Sequence, residues 1–197
     1  MKTYVERSEI LTCQPFTELN YSRNYGSPSL MFIFILSSFS GWVWEGFLSL
    51  ISDGSFINRG FFLGPWLPIY GVCSVLILVL LKRWRHRPLY TLVFTMLLCG
   101  TIQYTASVVL ETLFHARWWD FGHMLLNING RACLEGLFIF GLVGLIFIYL
   151  VAPVIDDLCQ NLSPKFKYSF YTFFTILFIL DFIRSCIIPN MGIGITI

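Results

Sequence analysis

The sequence predicts an all-α, polytopic membrane protein with five transmembrane helices and a re-entrant loop on its outer face. Three observations carry that expectation. The 197-residue chain is 56% hydrophobic and only 12% charged, where a soluble domain has roughly 25% charged residues. Its apolar residues gather into five runs, each near the roughly 20 residues needed to cross about 30 Å of hydrocarbon. Between the first two runs lies a stretch, Phe56 to Gly71, that is too apolar for water. Gly60, Gly64, Pro65 and Pro68 break it too often for a helix. Irregular backbone at membrane depth persists only when packed in protein or lining a wet cavity.

The elements follow in order. Residues 1–28 are polar, mixed in charge and free of a signal-peptide core; they are expected to form a cytoplasmic N-terminal segment. Residues 29–190 are expected to form one five-helix transmembrane domain. The first span runs from about Leu30 to Ile51 and closes with Gly41-Trp42-Val43-Trp44-Glu45. The second, from about Leu67 to Leu81, is short and draws on the loop before it. It ends in the basic run Lys82-Arg83-Trp84-Arg85-His86-Arg87. The third, from about Leu89 to Phe114, carries Thr101, Gln103, Tyr104, Ser107 and Glu111. An irregular segment with Trp118-Trp119-Asp120 and Asn129-Gly130-Arg131 precedes the fourth span, about Ala132 to Val151. The fifth, about Tyr168 to Ile188, contains Asp181 and Arg184.

Cation placement orients these spans. With the N-terminus inside, the inner segments hold nine lysines and arginines: Lys2, Arg7, Arg23, Lys82, Arg83, Arg85, Arg87, Lys165 and Lys167. The outer segments hold three: Arg59, Arg117 and Arg131. That imbalance predicts a cytoplasmic N-terminus. It also makes the basic run an anchor beside anionic lipid rather than a nucleic-acid patch. The six cysteines are scattered, without a CxxC or zinc spacing. No metal, cofactor or disulfide framework is therefore expected.

In this topology Glu45, Glu111, Glu135, Asp181, Arg184 and Tyr70 all fall in the outer half, beside both irregular segments. Charges inside a bilayer are costly and persist when paired or wet. The available acids are Glu45, Glu111, Asp120, Glu135 and Asp181; the bases are Arg59, Arg117, Arg131 and Arg184. The candidate functional cluster is Glu45, Asn58, Arg59, Tyr70, Tyr104, Glu111, Asp120, Asn129, Arg131 and Asp181. Asp181 and Arg184, three residues apart, are expected to share a helix face and neutralise each other. A weak internal echo relates Glu45 plus Asn58-Arg59-Gly60 to Glu111 plus Asn129-Gly130-Arg131. Toward the cytoplasm, only Thr91, Thr95 and Ser74 offer any polar continuation.

Gly41-Trp42 with Glu45, Asn58-Arg59-Gly60-Phe61, Gly64-Pro65 and Pro68-Ile69-Tyr70-Gly71 lead into Tyr104, Glu111, Trp119-Asp120, Asn129-Gly130-Arg131 and Asp181. Over roughly residues 31–188 this pattern resembles the CmpB-like family of bacterial ABC transporter permeases. The chain departs from it at Gln103, where an acid is usual, and at Glu135, where a small or hydroxyl residue is usual. The resemblance implies a multi-pass protein of the bacterial plasma membrane with a transport role. No Walker A motif is present, so the implied ATPase is a separate subunit. A homodimer is the other way for so small a bundle to complete a path. The alternative is an intramembrane enzyme acting on a lipid or lipid-linked phosphate at the outer leaflet. Glu45 and Glu111 would then supply acid–base chemistry, and Arg59 and Arg131 would hold the phosphate.

Overall fold

The computed structural model describes residues 23–191. Most of the expected N-terminal segment 1–28, with Lys2, Arg7 and Cys13, lies outside the described residues. Proline starts the helices. Pro28 sits in the first turn of α1 (Ser27–Asp53), Pro68 opens α2 (Pro68–Leu80), Pro88 opens α3 (Pro88–Phe114) and Pro164 opens α6 (Pro164–Ile187). A proline costs nothing there, because the first amides of a helix have no internal partner. Gly54 closes α1 at φ 72° and His115 closes α3 at φ 55°, both left-handed stops.

Between α3 and α6 one long rod is built from three pieces. α4 (Leu134–Ile146) passes through a π turn, Phe147–Val151, into α5 (Ala152–Asn161). Pro153 lacks an amide hydrogen, and the widened turn just before it is the local response. A two-residue antiparallel pair, β1 (Asn127–Ile128) with β2 (Ala132–Cys133), leads into this rod.

Four helical stretches are long and apolar enough to cross a membrane: Ser27–Asp53, Pro88–Phe114, Leu134–Asn161 and Pro164–Ile187. α2 is shorter. Its 13 residues rise about 20 Å, and a 3₁₀ turn at Leu81–Trp84 adds about 8 Å. The chain is an all-α, polytopic membrane fold. The segment from residue 54 to 67 carries no helix and packs against α1 and α6.

The two ends of the bundle differ in chemistry. At the basic end, Arg23 pairs with Asp156 and Asp157 of α5; these hydrogen bonds, that to Asp157 foremost, raise the Arg23 pKa. Arg85 is buried, donates to the Leu78 and Arg23 carbonyls, and lies over the Tyr25 ring. Burial lowers its pKa. Tyr149 donates to the Arg85 carbonyl at 2.6 Å. The apolar core, with Ile33, Ile77, Leu78, Leu81, Cys99, Ile148 and Ala152, packs toward this end. At the opposite, loop end lie Gly54, Phe114, both irregular segments and the last turn of α6.

The helix interfaces are made of small and polar residues, while most large apolar side chains face outward. On α1 the buried positions include Ser29, Ser37, Ser38, Gly41, Gly46 and Ser49. In lipid, small residues let backbones approach, which is where the packing energy lies. Gly71 shows how close: a Cβ there would stand 2.7 Å from the Phe34 carbonyl oxygen and 2.3 Å from Ser38 Oγ. Gly71→Leu is expected to force α1 and α2 apart at a cost of about 1–3 kcal/mol. A lowered thermal midpoint in detergent, against an unchanged one for Gly26→Ala, checks this.

Candidate functional site

The ten candidate residues all lie at or near the loop end, but they do not form one cluster. They divide into a helix-embedded acid, an arginine-bracketed acid and an acid that clamps a loop.

The helix-embedded acid is Glu45 on α1. Tyr70, in the first turn of α2, donates to its Oε1 at 2.6 Å. The approach depends on Gly41, one turn earlier on α1, where a Cβ would collide with the Tyr70 ring at 2.4 Å. Tyr70 in turn meets Phe140 of α4 edge-on at 6.2 Å. The nearby Trp42 indole nitrogen is buried and has no hydrogen-bond partner among the described residues; its ring packs on Phe56 at 5.0 Å.

The arginine-bracketed acid is Glu111, one turn from the end of α3. Arg117 Nε donates to its Oε1 at 3.0 Å, and Arg131 Nη2 donates to its Oε2. The Arg131 guanidinium also lies over the Tyr104 ring at 5.6 Å. Tyr104 sits seven residues before Glu111, on the same helix face. Asn129 donates to the Tyr104 hydroxyl at 2.9 Å. This places Asn129 and Arg131 together over α3. The turn that does so has Asn129 at φ 52° and Gly130 at φ 70°, and any Cβ at Gly130 would strike Asp120 Oδ1 at 2.5 Å. Trp119 Nε1 donates to the Arg131 carbonyl at 3.1 Å and steadies the turn. Asp120 is exposed and accepts from the Gly122 amide at 2.8 Å. It organises its own loop.

The clamping acid is Asp181 on α6. Its Oδ2 accepts from the Gly64 amide at 3.0 Å and from Trp66 Nε1 at 2.7 Å. The loop is pinned again from Asn190, just past α6. Its side-chain amide donates to the Asn58 and Gly60 carbonyls, each at 2.9 Å, and its own amide donates to the Phe61 carbonyl at 3.2 Å. Asn58 closes the loop from within, donating to the Phe62 carbonyl at 3.0 Å and accepting from the Gly60 amide at 3.1 Å. The two irregular segments touch through Phe61 and Trp118, whose rings are 5.7 Å apart. Trp118 Nε1 also donates to the Asn190 carbonyl at 3.2 Å.

Two of the bases stand apart from the candidate acids. Arg59 meets Asp53 at the end of α1 rather than Glu45 or Glu111. Both partners are more than a third exposed; Arg59→Ala is expected to change stability by less than about 1 kcal/mol, read from the thermal midpoint. Arg184 does not reach Asp181. It is exposed on α6, because the Asp181 carboxylate turns inward to the loop. Glu135 lies exposed in the first turn of α4, where a negative charge suits the helix dipole.

Three contributors were not among the candidates. Arg117 stands six residues after Glu111, and that spacing was a usable signal. Trp66 and Asn190 carry no sequence signal for their roles, since their partners lie more than 100 residues away in the chain. Among the described residues, no three His, Cys, Asp or Glu side chains group as a metal site.

Around Glu111 two guanidiniums face one carboxylate, and Arg131 Nε is buried without a partner among the described residues. That arrangement leaves one net positive charge and an unused donor. It suits an anionic group arriving from the loop end.

A family model described as "Putative ABC-transporter type IV" (ABC_trans_CmpB) matches residues 32–186. No curated protein and no solved structure matches the chain.

Proposed function

The chain belongs to the CmpB family, described as putative ABC-transporter type IV, and from that premise we propose that this membrane transport-type protein is a transport subunit that recognises an anionic group at its loop end. The observation that carries the reading is Glu111 held between Arg117 and Arg131, with Tyr104 and Asn129 completing the wall. Glu111 holds the two guanidiniums in place, and their surplus charge supplies the attraction. Glu45 with Tyr70 and Asp181 with its loop are supports that fix the helices beneath and the segment beside it.

The proposed setting is the bacterial plasma membrane, with the basic end and the N-terminus cytoplasmic and the loop end outside. Support comes from Arg23, Lys82, Arg83, Arg85, Arg87, Lys165 and Lys167 gathering at one end. The segment 54–67 would then be a re-entrant or interfacial loop. The proposed partners are the lipid bilayer and either a separate ATPase subunit or a second copy of the chain. The enzyme reading is less well supported. It needs Glu45 and Glu111 at one reacting centre, yet they engage different partners on different helices.

Affinity purification of the full chain from its native membrane tests the transport reading. An ATPase that co-purifies, with ATP hydrolysis that Glu111→Gln lowers at least tenfold, is the expected result. Turnover of a phospholipid or polyprenyl phosphate by the purified chain alone would overturn it. For orientation, His86→Cys in a background lacking the six native cysteines is expected to resist membrane-impermeant thiol reagents added outside intact cells. Labelling there would reverse the topology.

A further inference from the structure

The buried positions of α3 are Thr91, Thr95, Cys99, Gly100, Gln103 and Ser107. Apart from Gly100 they recur every fourth residue, and Glu111 continues the series. From Thr91 to Glu111 the helix rises about 30 Å, the thickness of the hydrocarbon itself. The polar continuation toward the basic end is therefore longer than the residues Thr91, Thr95 and Ser74 suggest.

Hydrogen bonding on this helix divides by face. Thr101 and Thr112, which face outward, return their hydroxyls to helix carbonyls at 2.7 Å. Inside, Thr95 is fully buried and its Oγ1 has no partner among the described residues. Gln103 is 9% exposed and makes no hydrogen bond among the described residues. An amide carries two donor hydrogens and an acceptor oxygen, and leaving them unmet inside a membrane is costly. On this face Thr95 Oγ1 is the buried atom left without a partner among the described residues, and a hydrogen-bonding group against it would relieve that cost.

The middle of the series, Cys99, sits in the apolar core beside Ile77 and Leu78, and the polar neighbours lie to either side of it. Cys73 of α2 packs against the cluster that holds Cys99. α2 and α3 are antiparallel, so Tyr70, about one turn from Cys73 toward the loop end, stands level with Gln103, one turn beyond Cys99. Tyr70 is the residue bonded to Glu45. At the other end Thr91 donates to the Trp84 carbonyl at 2.8 Å, beside the exposed basic turn.

We propose that bound water partners Gln103 and Thr95, and that this face of α3 conducts protons between the level of Glu45 and Tyr70 and the Trp84 turn. Hydroxyl, thiol and amide groups can relay a proton along a water file. Between Thr91 and Ser107 the buried face carries no charge to hold a metal cation or an anion. This inference goes beyond the anion site and stands on separate residues.

The test uses the full chain in liposomes holding a trapped pH indicator, with a potassium diffusion potential driving proton entry. Entry is expected to exceed that of protein-free liposomes, and to fall at least tenfold in Thr95→Val and in Gln103→Leu. Thr95→Val keeps the side-chain shape, so it decides the matter should Gln103→Leu fail to fold. A rate equal to that of protein-free liposomes, or an unchanged rate in both variants, would overturn the path. Either outcome leaves the ATPase test of the transport reading untouched.

Discussion

Asp181→Ala is expected to lose about 3–5 kcal/mol of stability and to abolish function. The Asp181 carboxylate accepts from the Gly64 amide and the Trp66 indole, and hydrogen bonds to a charged group are worth about 1.5–3 kcal/mol each. Removing the acceptor also strands both donors in a partly buried place. The loss spreads because Trp66 precedes α2 directly, and Leu67 donates to the Ser38 carbonyl at 2.9 Å. The start of α2 therefore depends on the loop that Asp181 holds, and with it the placing of Tyr70. Thermal unfolding in detergent measures the first effect, and complementation of a deletion strain at matched membrane level measures the second. Asp181→Asn, which keeps one acceptor, is expected to lose about half as much. An Asp181→Ala protein that melts like the parent would show that the clamp contributes nothing.

Arg131→Ala is expected to cost at least tenfold in complementation while leaving the protein inserted and folded. Its guanidinium is the only group seen to touch both Glu111 and the Tyr104 ring among the described residues. The turn that carries it survives the substitution, because Trp119 bonds the Arg131 backbone. Arg131→Lys is expected to rescue poorly, since an ammonium lacks the planar fork that serves carboxylate and ring together. The double variant Arg131→Ala with Glu111→Gln separates two roles. If it recovers function, the pair only neutralises itself. If it stays inactive, the cation is needed for a ligand. Wild-type complementation by Arg131→Ala would remove the anion site.

The sequence and the structure agree on where polar groups gather and differ on how they pair. Glu45, Asn58, Arg59, Tyr70, Tyr104, Glu111, Asp120, Asn129, Arg131 and Asp181 all lie near one end of the bundle, as their positions along the spans imply. Arg59 was nonetheless expected to face the carboxylates and instead meets Asp53. Asp181 was expected to meet Arg184, on the strength of a three-residue spacing, and instead reaches across to the loop. Local spacing says which residues share a face; it does not say what that face meets.

The sequence by itself determined the class of protein, the approximate limits of the long helices and the contrast between a basic end and a loop end. These follow from costs that act along the chain: hydrocarbon thickness sets the length of a run, and the penalty on charge sets where a run stops. Only the tertiary structure decided that Glu111 takes two arginines, that Glu45 takes a tyrosine and that Asp181 holds the loop. It alone also buried the face that carries Thr95, Cys99 and Gln103. Those outcomes depend on the rotation and register of each helix against its neighbours, which glycines such as Gly41 and Gly71 permit but do not encode. The physical reason is that pairing energy is short-ranged, while its partners here lie far apart in the chain: Gly64 and Asp181 by 117 residues, Asn58 and Asn190 by 132.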